Sequence, residues 1–312
     1  ENKMAVTAKM VKDLREQTGA GMMDCKKALS ETNGDMDAAV EYLRKNGQAK
    51  AEKKADRIAA EGLVDVVSEG NTAAIVEVNS ETDFVANNDK FKGYVREVAN
   101  AALATKAADI DAFLADKWIS DPSKTVKEAL DEEIAVIGEK LSIRRFKKVT
   151  AENGLVVSYI HGGGRIGVVI NADCANPNDD VKEALHNVAM QIAALNPKYI
   201  RDSDVDQEYL DHETEIIKAQ IENDPKESAK PDKVKAGIVK GRLNKELKEV
   251  CLMDQVYVKA EDGKQSVAKY LDQVAKAAGT DLTIKEFVRF ETGEGLEKRN
   301  ENFAEEVAKQ MQ

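Results

Sequence analysis

The residues best placed for chemistry or recognition lie in the polar segment Asn79 to Asn88, which reads NSETDFVANN. Thr82 and Asp83 are types that cap helices, and Phe84 and Val85 follow them directly. Phe84 has two interpretations. It packs inward as the first core residue of the next helix, the common fate of an aromatic side chain. Alternatively it points outward into a pocket of a partner protein, with Asp83 acting on a nearby charge, and Val85 then packs inward.

A glycine-rich segment from His161 to Gly167 (HGGGRIG) has the spacing of a dinucleotide-binding loop. Such a loop must lead into a helix whose first amides hold the pyrophosphate, whereas these glycines lie between two predicted strands. We therefore interpret the segment as a hairpin turn and expect no bound cofactor. An esterase-type oxyanion loop is also similar, but no G-x-S-x-G supplies the nucleophile. Gly162 and Gly163 let the backbone approach a partner closely, and His161 offers it a donor and an acceptor.

The histidines and cysteines are too scattered for a catalytic or metal centre. They are His161, His186 and His212, and Cys25, Cys174 and Cys251. No two histidines have the i, i+4 spacing of a zinc site and no two cysteines form C-x-x-C, so we expect neither a metal nor a disulfide framework. Free thiols fit a reducing cytoplasm. Because an enzyme needs clustered titratable groups, we expect a protein that is not an enzyme.

The charge balance and the apolar runs indicate the kind of partner. The chain has 46 Lys and Arg against 57 Asp and Glu, a net charge of -11. It therefore repels a phosphate backbone over any distance that salt does not screen. The longest apolar runs, such as Ala73 to Val76, are far shorter than the roughly 20 residues that span a bilayer. We expect no direct nucleic-acid contact, no membrane span, and another folded protein as the partner.

Three short helices are predicted at the N-terminus. Thr7 caps the first helix and Gly19 breaks it, the second ends near Gly34, and Asp35 caps a third that ends at Asn46-Gly47. The stretch from Gln48 to Arg57 is rich in Lys and Ala, which predicts a helical linker.

Two adjacent methionines, Met22 and Met23, follow the glycine turn after the first helix. Core packing is the usual fate of methionine. A small bundle, however, cannot bury two adjacent side chains that point in different directions. We therefore expect at least one of them on a contact surface.

A hairpin followed by a helix occurs twice along the chain. From Gly62, apolar residues alternate on both sides of a turn at Glu69 to Asn71, and a helix follows. The same order returns about 92 residues later, from Gly154. This predicts an internal duplication and an α+β fold, in which each half is a small antiparallel sheet covered by helices on one face. The later strands are predicted at Ile143 to Val149, Val256 to Lys259 and Lys285 to Phe290.

Two helical features extend this core. Apolar residues recur at helical spacing on both sides of Asn223-Asp224-Pro225, which predicts a helical hairpin that projects as a coiled coil at about 206–250. Leu296 to Gln312 predicts a C-terminal helix whose apolar pair, Phe303 and Val307, needs a cover. The predicted parts are a helical module with linker at 4–55, core subdomains at 56–150 and 151–290, and a C-terminal helical module at 291–312.

Four segments resemble the elongation factor Ts family. They are TAKMVKDLREQTGAGMMDCKKAL from Thr7, NSETDFVA from Asn79, HGGGRIGV from His161 and RFETGEGLEKRNENFAEEV from Arg289. They occur in the family's order, so the resemblance covers essentially the whole chain from Met4. It implies a guanine-nucleotide exchange factor for the translational GTPase elongation factor Tu. It also implies that the N-terminal bundle has a ubiquitin-associated-like fold.

The resemblance further implies four contacts with elongation factor Tu. The helical module and the C-terminal helix contact the GTPase domain, and the glycine turn grips a different domain. Asp83 and Phe84 match the pair that intrudes beside the GTPase's magnesium site, with Phe84 wedged between helices. The implied contact residues are Leu14, Arg15, Met22, Met23, Thr82, Asp83, Phe84, Val85, His161, Gly162, Gly163, Phe303 and Val307.

Other interpretations stay open at this point. In one, the chain is an adaptor whose bundle binds an unrelated helix while the rest serves as a scaffold. Deleting residues 4–54 separates the two, because an adaptor loses all function whereas an exchange factor keeps weakened binding through its core. An enzyme would require a reproducible hydrolase activity from pure protein. The sequence also leaves open a homodimer or a 2:2 assembly, and the role of the coiled coil.

Overall fold

The structure, a computed structural model, describes residues 6–298. These residues form an α+β fold with twelve α-helices and two three-stranded antiparallel sheets. Phe303 and Val307, on the predicted C-terminal helix, lie outside the described residues. Within residues 6–298, no helix is both long enough and apolar enough to cross a membrane.

The N-terminal module consists of α1 (Ala8–Thr18), α2 (Met22–Glu31) and α3 (Met36–Glu52). The Thr7 hydroxyl accepts a hydrogen bond from the Met10 amide, and an Asp35 carboxylate oxygen accepts one from the Ala38 amide. These contacts satisfy amides that have no partner inside a helix, so the two predicted N-caps are confirmed.

The predicted end of the third helix at Asn46-Gly47 is wrong, since α3 continues to Glu52. Gly47 is buried against the core, and a Cβ atom added to it would lie 3.5 Å from the Asp131 carbonyl oxygen. A glycine weakens a helix by only about 1 kcal/mol, and packing of α3 on the core outweighs this penalty. The predicted helical linker from Gln48 to Arg57 is therefore helical only as far as Glu52, and α3 itself packs on the core.

The first half of the core follows the predicted order. Its elements are β1 (Glu61–Glu69), β2 (Thr72–Ser80), α4 (Asp83–Ala86), α5 (Asp89–Ala104), α6 (Ile110–Ala115), α7 (Val126–Ile137) and β3 (Ser142–Thr150). The sheet order is β1-β2-β3, and the β1–β2 hairpin turns through Gly70-Asn71. Helices α5, α6 and α7 cover one face of this sheet through a core that contains Phe91, Val98 and Phe113.

The second half repeats this arrangement with an insertion. Its elements are β4 (Gly154–His161), β5 (Ile166–Asp173), α8 (Asp179–Leu195), α9 (Gln207–Asn223), α10 (Pro225–Ser228), α11 (Asp232–Val250), α12 (Val267–Ala278) and β6 (Thr283–Glu291). The sheet order is β4-β5-β6, and α8 and α12 cover one face of it. The inserted helices α9 and α11 pack against each other as a helical hairpin. Helix α12 is not among the elements predicted from the sequence.

The predicted strand from Val256 to Lys259 is wrong. Val256 forms only an isolated bridge with Ser266, and the Val258 amide donates to the Gln191 side-chain oxygen at 3.0 Å. Tyr257 points inward between two exposed valines. Buried and exposed side chains therefore alternate as they do in a strand. The Val258 amide, however, pairs with the Gln191 side chain and not with a neighbouring strand.

The two sheets pack face to face. The apolar core between them contains Val64, Ile75, Val149, Val169 and Phe290. Strand β2 is buried over nearly its whole length, because one face meets the helices and the other meets the second sheet. The layers are therefore helices, sheet, sheet and helices.

Candidate functional site

The segment from Thr82 to Ala86 forms a short exposed turn that leaves strand β2. Helix α4 has only four residues, and Thr82 is its N-cap. The Thr82 hydroxyl accepts a hydrogen bond from the Val85 amide at 3.4 Å, and the Ser80 hydroxyl donates to the Thr82 carbonyl oxygen at 3.0 Å. Side chains therefore fix this turn, since so short a helix is not stable by itself.

Phe84 points away from the protein, and 84% of its surface is exposed. Val85 is partly buried and packs against the core under α5, while Ala86 is buried. Asp83 is exposed beside Phe84. The outward interpretation of Phe84 therefore agrees with the structure, in which an aromatic ring and a carboxylate stand side by side on the surface.

A carboxylate from another element holds the base of this turn. Glu139, just after α7, accepts hydrogen bonds from the Glu81 and Thr82 amides, both at 3.1 Å. Its other oxygen accepts the Thr82 hydroxyl at 2.7 Å. No local sequence signal points to Glu139, because it lies 57 residues from Thr82 and no spacing rule connects the two.

The turn between α1 and α2 presents a second surface. Met22 and Met23 are 59% and 74% exposed, and Arg15 is exposed in the last turn of α1. Leu14, in contrast, is completely buried in the core of the bundle with Cys25 and other residues. Leu14 is therefore not a surface contact, because its side chain packs the three helices together.

The β4–β5 turn carries the third predicted group. His161 and Gly162 to Gly163 are exposed, and the His161 Nδ1 atom lies 2.9 Å from the Tyr159 hydroxyl. The next glycine, Gly164, is buried, and its carbonyl oxygen accepts a hydrogen bond from the Val64 amide at 2.7 Å. This turn therefore has an exposed tip and a base that is attached to the other half of the core.

A buried carboxylate connects the two halves near this turn. Glu77 is completely buried on β2, and its Oε1 atom accepts the Gly293 amide at 2.8 Å and Arg144 Nη1 at 3.0 Å. Arg145 Nε donates to its other oxygen. Gly293 has φ +71°, and a Cβ atom there would lie 2.1 Å from the Ala60 carbonyl oxygen. The chain after β6 therefore fits against the first half only with glycine at this position.

Burial raises the pKa of Glu77, but the hydrogen bonds from Gly293, Asn79 and the two arginines outweigh it and lower the pKa below its ordinary value. The carboxylate is therefore held ionised inside the protein. It is a structural charge, because it is paired and away from the surface.

The described residues contain no group of three or more His, Cys, Asp or Glu side chains arranged to hold a metal ion. Cys25, Cys174 and Cys251 are all free and buried. Of the contact groups predicted from the sequence, the described residues expose the Phe84 turn, the Met22 surface and the His161 tip.

Known proteins of similar sequence show the family of this chain. Residues 81–294 match the family model for elongation factor TS. The chain is 50% identical over 309 residues to elongation factor Ts of Clostridium tetani, which covers 98% of this chain and 100% of that protein. It is 53% identical over 306 residues to elongation factor Ts of Clostridium perfringens, covering 97% and 98%. It is 52% identical over 308 residues to that of Clostridioides difficile, covering 98% and 99%. With a family match over more than half of its length and relatives aligned along nearly all of it, the chain belongs to the elongation factor Ts family.

Proposed function

We propose that this chain is a guanine-nucleotide exchange factor for elongation factor Tu, and that it acts by binding and not by chemical catalysis. In this proposal the Phe84 turn makes the most important contact with elongation factor Tu. The observation that carries this proposal is the 84% exposure of Phe84 beside Asp83, on a turn that side chains hold in place. An exposed aromatic side chain on a rigid support is typical of an anchor that fills a pocket of a partner.

The mechanism follows from thermodynamic linkage. A protein that binds the nucleotide-free GTPase more tightly than the GDP-bound form weakens GDP binding by the same coupling free energy. To shift the GTPase from about 1:99 to 99:1 in favour of the open form, this energy must be about 5.5 kcal/mol. Burying one large apolar side chain contributes about 1.5–3 kcal/mol. Phe84 alone is therefore insufficient, and further contacts are required.

Asp83 and Phe84 act on the magnesium and phosphate site of the GTPase. A bound Mg²⁺ neutralises phosphate charge, so moving it weakens the interaction that holds GDP most strongly. In this proposal Phe84 wedges between helices of the GTPase, and the Asp83 carboxylate disturbs the charge balance at the ion. The chain makes and breaks no bond of the nucleotide and needs no cofactor of its own.

The other contacts belong to three further surfaces. Arg15, Met22 and Met23 bind the GTPase domain, and the His161 tip with Gly162 and Gly163 binds another domain. Phe303 and Val307 return to the GTPase domain, and this contact rests on the family resemblance alone. The same resemblance supports a ubiquitin-associated-like fold for residues 4–55, a coiled coil at about 206–250 and a C-terminal module at 291–312. It also supports a cytoplasmic location, where translation takes place.

The test is release of fluorescently labelled GDP from elongation factor Tu, with and without this chain. We expect release to accelerate as the chain is added and to reach a plateau, since a complex forms. Excess Mg²⁺ should reduce the acceleration, because the proposed mechanism displaces this ion. If a several-fold excess of folded chain over elongation factor Tu leaves the rate unchanged, the proposal is wrong.

A deletion of residues 4–54 provides the matched comparison with a plain adaptor. An exchange factor that lacks its helical module keeps weakened binding to elongation factor Tu through the Phe84 turn and the His161 tip. Complete loss of binding, with the core still folded by circular dichroism, would favour the adaptor.

A further inference from the structure

We propose that Glu139 is a positioning residue of the exchange reaction, which holds the Phe84 turn in the geometry that its partner requires. The inference rests on the proposed function of that turn. Glu139 itself does not stand on the exposed surface with Phe84, and it acts through Thr82.

The first support is the number of hydrogen bonds that one carboxylate accepts from the turn. Glu139 accepts the Glu81 amide, the Thr82 amide and the Thr82 hydroxyl, at 3.1, 3.1 and 2.7 Å. Hydrogen bonds to a charged acceptor are roughly twice as strong as neutral ones. Three of them to two consecutive residues fix the direction in which the chain enters α4.

The second support is the hydroxyl of Thr82, which transmits this position to α4. A hydroxyl has one hydrogen to donate, and in Thr82 it goes to Glu139. The remaining lone pairs accept the Val85 amide. Phe84 lies between these two residues in sequence, so the hydrogen bonds that fix Thr82 and Val85 also fix the backbone that carries the aromatic ring.

The third support is a reciprocal contact made by Lys140, the residue after Glu139. Glu81 Oε1 accepts the Lys140 amide at 2.6 Å and Arg57 Nη1 at 3.2 Å. The Lys140 ammonium group donates to the carbonyl oxygens of Ala55 and Arg57, at 2.6 and 2.8 Å. These hydrogen bonds therefore join the Phe84 turn to the segment that links the helical module to the core.

A preorganised anchor loses less conformational freedom on binding, so loosening it weakens the bound state without removing any contact atom. This reasoning gives a specific expectation for Glu139→Gln. The amide group of Gln keeps the shape but replaces one acceptor oxygen with a donor, which cannot accept from the turn. Stimulated GDP release at saturating exchange factor should fall about tenfold, which corresponds to losing one charged hydrogen bond.

The experiment measures this plateau rate and the half-saturating concentration for four proteins. They are the original chain, Glu139→Gln, Thr82→Val and the double variant. Because Glu139 and Thr82 share the hydrogen bond between them, the double variant should lose less activity than the product of the two single effects. Hydrogen exchange of the Glu81 and Thr82 amides should increase in Glu139→Gln, while the thermal midpoint of the whole protein stays close to the original.

Glu128→Gln is the matched control. Glu128 lies in the first turn of α7, the helix that Glu139 follows, and its carboxylate also accepts a backbone amide, that of Thr125, in a capping box. Gln also serves in a capping box, so this variant should exchange nucleotide at the original rate.

The outcomes separate the inference from the function on which it rests. If the original chain accelerates GDP release and Glu139→Gln reaches the same plateau, Glu139 is not a positioning residue. Strictly multiplicative effects in the double variant would also overturn the inference. A higher half-saturating concentration with an unchanged plateau would mean that Glu139 supports binding alone and does not position the turn for nucleotide release, which contradicts the inference. If the original chain has no effect on GDP release, both proposals are wrong.

Discussion

At the residue scale, the main result is the direction of Phe84. Sequence patterns do not decide whether Phe84 points inward or outward. Helix α4 has only four residues, and a single helical turn is too short to show a hydrophobic period. The structure places Phe84 outside and Val85 against the core. The two neighbours therefore differ in role, since Phe84 is exposed and available to a partner, whereas Val85 anchors the turn.

This division predicts opposite behaviour for two adjacent substitutions. Phe84→Ala should change the free energy of unfolding by less than about 0.5 kcal/mol, because an exposed side chain makes few contacts, yet it should strongly slow stimulated GDP release. Val85→Ala should lower the free energy of unfolding by about 1 kcal/mol, because it removes part of a packed side chain. Urea unfolding and labelled-GDP release check the pair. A Phe84→Ala protein that unfolds early but exchanges nucleotide normally when folded would contradict this assignment.

The same scale shows where composition misleads. Leu14 and Met22 belong to the same family-like segment, but Leu14 is completely buried and Met22 is exposed. Met22 and Met23 are both exposed because a small bundle cannot enclose two adjacent long side chains. The family resemblance implies that Leu14 contacts the partner, but its side chain is buried among the three helices and is not exposed.

At the element scale, the duplication can be predicted from sequence because each half uses the same local signals. Gly62 and Gly154 begin equivalent strands, and at both positions a Cβ atom would lie within about 2 Å of a carbonyl oxygen of the neighbouring strand. The middle strands also have matching irregularities, at Glu77/Val78 and at Asn171/Ala172. A glycine facing a bulge is thus part of the repeated unit.

Elements that depend on distant contacts cannot be predicted in this way. Helix α3 passes through Gly47 because it packs on α7, and no local signal reports that contact. The segment at Val256 to Lys259 has strand-like alternation, but two of its backbone hydrogen bonds, at Val256 and Val258, go to the Gln191 side chain. Local patterns predict whether the side chains of a segment alternate with a helical or a strand period. Tertiary packing decides which other part of the protein the segment pairs with.

The inserted hairpin allows a test of local helix stability. Gly237 and Gly241 lie on the exposed surface of α11, and a Cβ atom at either position would meet nothing within 4 Å. Gly237→Ala and Gly241→Ala should each stabilise the helix by about 0.5–1 kcal/mol, because alanine loses less backbone entropy than glycine. Slower hydrogen exchange of the α11 amides measures this effect.

The same two variants report on the role of the hairpin. If α11 only projects from the core, both should release GDP from elongation factor Tu at the original rate. If either variant exchanges nucleotide more slowly while α11 is more protected, a partner approaches this face closely and the added methyl group obstructs it. Faster hydrogen exchange in α11 would contradict the stability argument itself.

At the scale of the whole molecule, the two halves are joined by an apolar core and by one buried charge. Val64, Ile75 and Phe290 contribute to the core between the sheets. Glu77 meets Arg144, Arg145 and the Gly293 amide where the chain after β6 crosses to the first half. This junction keeps the Phe84 turn and the His161 tip on one rigid support, which an exchange factor with several contacts requires.

The buried charge predicts how stability depends on pH. The pKa of Glu77 is lower in the folded protein than its ordinary value of 4.5, so the folded state binds this proton less readily than the unfolded state. Its contribution to stability is fully present above pH 4.5 and is lost as the pH falls through the lower, folded pKa. Glu77→Gln removes this titration while it keeps an acceptor for Gly293. Urea midpoints measured from neutral to acidic pH should therefore fall less steeply below pH 4.5 in Glu77→Gln than in the original chain, and equal slopes would mean that Glu77 does not act as a buried structural charge.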